Sequence, residues 1–223
     1  MAKAVDLVCD YLHEQILSGK YPPGYRLREE DLTEQTGVSR TPVREALRRL
    51  DKEGFIVIEN NRGASIPIYT KRDLDEIYGL RTLLESHAAR RAAGRITTEQ
   101  IATLERINAE FRKIAENTGQ DRAGTQKFLM LTKLNRQFHE TILEAADNTH
   151  LTKILRQLAQ SALSAQTYAK FGTTGRSKSA DDHDELIKAF KGGKADWAEA
   201  SMRSHVHQAR EIMTKYIDTS STD

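Results

Sequence analysis

The sequence predicts a mainly α protein in two parts: a small N-terminal unit of short helices and one hairpin, then an all-helical antiparallel bundle. Three observations carry this. The four prolines are Pro22, Pro23, Pro42 and Pro67, so positions 68–223 of the 223-residue chain contain none. Without proline the commonest helix breaker is missing, and long helices are favoured. Apolar residues recur at spacings of three and four through most of the chain, the period of an amphipathic helix. Residues 55–68 break that pattern with β-branched runs around a turn.

Each element follows in order. Val5, Val8, Leu12 and Ile16 put one apolar face on a helix over residues 4–18, and Gly19 stops it. YPPGYRL (21–27) reads as a turn. EEDLTEQT (29–36) reads as a short helix with acids in its first turn and Gly37 just beyond it. Ser39 can cap the next helix, from about Arg40 to Leu50. FIVI (55–58) reads as a strand, ENNRG as the turn and ASIPI (64–68) as the returning strand, with Pro67 suggesting a sheet edge. Helix, helix, turn, helix and hairpin make the order of a winged helix-turn-helix. Beyond Tyr69 we expect helices near 70–93, 97–116, 123–146, 148–170, 179–191 and 194–217, with Thr70, Thr97 and Ser179 as N-caps. The expected domains are 1–69 and 70–218, with a frayed tail at 219–223.

Composition narrows the class. Apolar residues are 38% and charged residues 30% of the chain, which suits a soluble globular protein with many exposed helical faces. No apolar run approaches the length of a membrane span, and the N-terminus lacks a basic region followed by an apolar core. A cytoplasmic location is the expectation. Cys9 stands alone and is expected as a small buried thiol.

Charge is focused rather than spread. Residues 1–69 hold 10 Lys/Arg against 11 Asp/Glu, yet VSRTPVREALRRL (38–50) has four arginines and one acid. At ~100° per residue, Val43, Ala46, Leu47 and Leu50 share one face, and Arg40, Arg44 and Arg48 form a stripe on another. A helix that reads DNA needs that division: a core side, and a groove side whose N-terminal residues reach base edges. The planar fork of arginine can pair with guanine O6 and N7, and the hydroxyls of Ser39 and Thr41 can meet phosphates. The alternative is a solvated face with an Arg–Glu pair. The short helix before it, Gly37, and the hairpin tip Asn61-Arg62-Gly63 favour DNA.

GVSRTPVREALRRLDKEGFI and NRGASI resemble the N-terminal domain of GntR-family bacterial transcription regulators, over about residues 10–68. The resemblance implies that Arg40 and Arg44 read bases or adjacent backbone. It implies that Ser39, Thr41 and the wing-tip Gly63 touch phosphate or the minor groove. Arg48 and Arg62 join the expected DNA-binding set, and two half-sites would need a homodimer.

The second unit holds polar residues on apolar faces. Asn135 and His139 are four apart, on a face with Phe128, Leu131, Phe138 and Ile142. His183 shares its face with Leu186, Ile187 and Phe190; His205 lies with Ala198, Met202, Ala209, Ile212 and Tyr216. His207 faces the other way, and His87 is expected to pack at the edge of its helix. Each inward histidine could be a satisfied core residue. Three of them with one Asn, from three helices, could also hold a metal in a bundle core. Three imidazoles plus one oxygen would suit Zn²⁺, or Ni²⁺ or Mn²⁺ with added waters. NRQFHETILEAADN, a His ahead of LIKAF and a His in the last helix are similar to the FCD ligand-binding domain of the FadR subfamily, over roughly 74–216. That resemblance implies a divalent metal on Asn135, His139, His183 and His205, with a small organic acid completing the coordination. Many relatives have Asp where this chain has Asn135.

Arg81 falls within the apolar arc of Leu74, Ile77, Leu84 and Ala88. It either pairs with Glu85 or clamps the carboxylate of an effector. Taken together the sequence reads as a ligand-responsive repressor and not an enzyme. Two rivals remain: a metal hydrolase on the histidines, and a DNA-binding dimer with no metal or effector. In the hydrolase reading Asp181, Asp182 and Asp184 are expected only to cap the helix of His183.

Overall fold

Burial of Val8, Leu12 and Ile16 seats helix α1 (Ala2–Leu17) against α3 (Arg40–Lys52), with α2 (Glu29–Thr36) packed across α3. The computed structural model describes residues 2–59, 63–117, 122–158, 161–170 and 172–220. Asn61 and Arg62 of the expected hairpin tip lie outside them. By Cα packing the chain divides into one unit of residues 1–69 with 160–166, and a second of 70–159 with 167–223.

In the first unit α2 ends at Gly37, whose φ of 68° is left-handed and suits glycine. The chain then turns directly into α3. Val43, Ala46, Leu47 and Leu50 are buried there as expected. Each full burial contributes roughly 1.5–3 kcal/mol for the larger side chains.

The wing is a three-stranded antiparallel sheet in the order β1–β3–β2, formed by β1 (Arg26–Leu27), β2 (Val57–Glu59) and β3 (Gly63–Ser65). Two expectations fail here. YPPGYRL is not only a turn, because Arg26 pairs with Ser65 and Leu27 with Ala64. The returning strand is therefore central rather than an edge. Pro67 lies beyond its end, so its missing N–H removes no rung of the ladder. Phe55 and Ile56 enter the core, whereas Val57 and Ile58 are exposed on the wing.

The second unit contains α4 (Lys71–Ala92), α5 (Thr98–Glu116), α6 (Arg122–Ala146), α7 (Thr149–Leu158), α9 (Thr173–Lys191) and α10 (Ala195–Ser220). Helix α8 spans Ser161–Lys170. Thr70 and Thr97 each close a capping box, with Asp73 and Gln100 returning the bond. The bundle packs α10 on α4 and α9, α5 on α6 and α9, and α4 on α6.

The expected helix over 148–170 is instead α7 and α8, with residues 159–160 outside the described set. Helix α9 begins at Thr173 after an N-cap at Gly172, six residues earlier than expected. Ser179 is therefore no cap; it is buried inside α9. TTGRSKS has the composition of a loop, but Arg176, Ser179, Ala180 and His183 fall on one buried face. Tertiary burial outweighs weak local propensity. Among the described residues no helix is long and apolar enough to cross a membrane.

Candidate functional site

The first candidate surface is the outer face of α3. Ser39, Arg40, Thr41, Arg44 and Arg48 are all exposed there, and Gly63 is exposed at the start of β3. Gly63 has φ +81° with nothing within 4 Å of a built Cβ, so conformation rather than space requires glycine. Ser39 occupies the N-cap position but makes no side-chain cap bond, contrary to expectation. Its hydroxyl points to no partner in the helix.

The arginine stripe is not bare. Arg44 Nε donates to both oxygens of Glu29, at 2.9 and 2.8 Å. Arg40 Nη2 donates to Glu30 Oε1 at 3.2 Å. Glu29 and Glu30 in the first turn of α2 thus face the arginine stripe across the helix-turn-helix. Arg49 turns away from it, to Asp6 at 2.9 Å and Glu53 at 3.2 Å.

The second candidate is buried in the bundle. His139 on α6, His183 on α9 and His205 on α10 each offer a ring nitrogen, and these atoms all lie within 4.8 Å of one another. The Nε2 atoms of His139 and His205 are 3.3 Å apart. His183 Nε2 is buried with no hydrogen-bond partner. Asn135, one turn before His139, is buried and its Oδ1 also has none. Phe138 stacks on His183 at 4.0 Å between centroids, and Phe111 meets it edge-on. Burial first, then the neighbouring His205 and His139, holds His183 neutral well below the usual imidazole range. Burial lowers His205 as well, against an opposing pull from Asp182.

Behind the rings stand polar partners. His139 Nδ1 is 2.8 Å from Glu85 Oε2. His183 Nδ1 is 3.1 Å from Asn108 Oδ1. His205 Nδ1 is 3.6 Å from Asp182 Oδ2, longer than a hydrogen bond. The Glu85 contact is one of distance only, since its Oε2 is left without a hydrogen-bond partner. His139 Nε2 faces His205 Nε2, His183 of the same cluster leaves its Nε2 orphaned, and Asn135 lies one turn before His139 on α6. Three imidazole nitrogens and one neutral oxygen fit a borderline divalent cation.

The Arg81 side chain is 11% exposed, and its Nε donates to Glu85 Oε1 at 2.8 Å. This is the pairing weighed as its alternative role. The guanidinium also lies 5.0 Å from the centre of the Tyr78 ring. Burial would raise the Glu85 carboxyl, but Arg81 and His139 outweigh it and hold it well below the carboxylate range. Three other expectations need correction. Asp181 and Asp184 do not cap a helix; both pair with Arg112, at 2.9 and 2.7 Å. Asp182 is buried against His205 and Lys178. His87 is exposed rather than packed, because it lies on the solvent side of α4. His207 is exposed as expected.

Sequence reasoning missed Asn108. Its signal was present: Asn108 sits on the buried stripe of Leu104, Ile107 and Phe111, a polar residue on an apolar face like Asn135. It also read Glu85 only as a partner for Arg81, and Asp182 only as a cap.

A winged helix with an arginine stripe, joined in one chain to a helical bundle with a histidine cluster, points to a DNA-binding regulator. Residues 5–66 match the family described as "Bacterial regulatory proteins, gntR family", and residues 76–208 match the FCD domain. The chain belongs to the gntR family of bacterial regulators, in its FadR-like branch with an FCD domain. It is a transcription regulator and not an enzyme. It is 30% identical over 192 residues to the Nta operon transcriptional regulator of Aminobacter aminovorans, covering 86% of each protein. It is 33% identical over 147 residues to the HTH-type regulator YdhC of Bacillus subtilis, covering 66% of this chain and 62% of that protein. The structure of E. coli McbR/YncC has the same fold, with a TM-score of 0.67 over 97% of this chain and all of that one, at 24% identity.

Proposed function

We propose that this regulator binds a palindromic operator as a homodimer, one α3 in the major groove of each half-site, and that a small carboxylate effector releases it. In this reading it is a repressor. Arg40, Arg44 and Arg48 read the groove, Ser39 and Thr41 hold the backbone, and the wing with Arg62 and Gly63 reaches the adjacent groove. Half-sites one helical turn apart are separated by about 34 Å, so a small rotation of one recognition helix against the other breaks the match.

The effector site in this reading is a divalent metal, with zinc the best fit, held by Asn135, His139, His183 and His205. The observation that carries it is the convergence of three imidazole nitrogens, those of buried His183 and His205 and half-buried His139, with His183 Nε2 and Asn135 Oδ1 left unpartnered. A divalent ion there supplies positive charge for a carboxylate oxygen. The chain supplies everything else. Phe138 and Phe111 keep His183 dry, and Arg81 brings a guanidinium beside Glu85 and His139 that can orient an organic acid. Such a ligand changes DNA binding only by favouring one arrangement of the dimer over another.

The test is metal content of protein purified without a nickel column, wild type against His139→Ala. About one divalent ion per wild-type chain, lost in the variant, supports the site. No metal in either returns the histidines to the core and leaves the DNA-binding reading intact.

A further inference from the structure

Asn108 on α5 makes three polar contacts, and together they determine which ring nitrogen of His183 carries its hydrogen. The residue is 2% exposed, so each contact must be satisfied inside the protein. Nδ2 lies 3.0 Å from the carbonyl oxygen of Ala180 and 2.7 Å from Asp184 Oδ1. Both are acceptors, so the NH₂ end of the amide must face them. The other oxygen of Asp184 is paired with Arg112 at 2.7 Å, which keeps that carboxylate in place. Oδ1 of Asn108 is thereby turned to His183 Nδ1, at 3.1 Å. A carbonyl oxygen only accepts, so Nδ1 must donate. A neutral imidazole has one N–H, so Nε2 is left as a bare lone pair. That atom is the one at the histidine cluster, buried and without a hydrogen-bond partner.

We propose that Asn108 is a positioning residue for the cluster: held by Ala180 and Asp184, it fixes His183 as the Nδ1–H tautomer and aims the Nε2 lone pair at the ion. Glu85 Oε2 on α4 stands 2.8 Å from His139 Nδ1 but makes no hydrogen bond, so only His183 is fixed in this way. The inference rests on the metal reading above for its purpose, but not for its geometry. The chain Arg112–Asp184–Asn108 leads from half-buried Arg112 on α5 to His183, and none of these three residues is itself among the ligands. Outer partners of this kind orient ligand imidazoles, and their loss typically lowers metal affinity by about 10- to 100-fold.

Two readouts test it. The first needs no metal. Long-range ¹H–¹⁵N correlation spectra of the metal-free full-length protein, with His183 assigned from His183→Gln, should show His183 protonated at Nδ1. Protonation at Nε2 would overturn the proposal while leaving the metal reading standing. The second is Zn²⁺ affinity by competition with a chromophoric chelator. Asn108→Leu fills the space without an acceptor and should weaken Zn²⁺ binding by about 10- to 100-fold. Asn108→Asp combined with Asp184→Asn keeps an oxygen on His183 and a donor between the two residues; it sets a carboxylate oxygen against the Ala180 carbonyl, so it should recover part of the affinity that Asn108→Leu loses. Equal affinity in Asn108→Leu and wild type, or an equal loss in Asn108→Leu and the exchanged pair, would overturn it. If Asn108→Leu does not fold, the wild-type spectrum still decides. If wild type binds no Zn²⁺, the metal reading falls and the spectrum alone judges Asn108.

Discussion

Arg44→Ala separates the two roles that the structure gives this side chain. In the free protein it pairs with Glu29, but the two side chains are 58% and 35% exposed. A pair that exposed contributes roughly 0–1 kcal/mol. Its loss should lower the melting temperature by at most about 4–8 °C, the shift that about 1 kcal/mol produces in a small domain. On DNA the side chain does more. A bidentate arginine–guanine contact discriminates by about 1–3 kcal/mol, or about 5- to 150-fold per half-site at 1.4 kcal/mol per tenfold. With both half-sites affected, the loss compounds. Fluorescence anisotropy with operator DNA at several salt concentrations measures it, alongside a thermal melt. Glu29→Gln is the companion: it removes the competing carboxylate and should bind operator at least as tightly as wild type. Wild-type affinity in Arg44→Ala would refute the assignment of α3 to the groove. A loss of affinity matched by a collapse in melting temperature would refute the claim that the Glu29 pair is worth little.

Three further predictions follow from buried groups. Arg81→Met should destabilise the chain by about 3–5 kcal/mol in urea unfolding, because it strands the buried Glu85, and Glu85→Gln in the same chain should recover most of that. Leu50, fully buried on α3, should cost about 2–5 kcal/mol as Leu50→Ala and weaken DNA binding only through unfolding, read by comparing binding with the folded fraction. Burial raises the Cys9 thiol from 9.0 to about 11, against the pull of Arg49. Cys9 should therefore resist a thiol reagent at pH 8 until the protein unfolds. Its folded pKa lies above its unfolded one, so its contribution to stability is full below pH 9 and lost as pH rises from there toward 11. Rapid native labelling would show the thiol to be accessible.

Local rules carried most of the helices. Thr70 and Thr97 were legible as caps because a capping box lies within four consecutive residues, and the α4 and α5 boundaries followed to within a residue or so. Gly37 was legible for the same reason. The α9 start was not, because its first turns fold on burial of Arg176 and Ser179 rather than on propensity. Strand β1 was hidden because two residues cannot show a period; only its pairing with β3 defines it.

The division between the two sources lies in range. The sequence by itself determined the arginine stripe on α3, the inward faces of Asn135, His139, His183 and His205, and the kind of chain that combines them, since each depends on the 3.6-residue period of a single helix. Only the tertiary structure decided who meets whom. It brought Glu29 to Arg44, Glu85 to His139 and Asn108 to His183, pairs 15, 54 and 75 positions apart in the chain. Those meetings depend on how whole helices pack, which no local period encodes. A tautomer chosen by an amide on another helix is the furthest consequence of that packing.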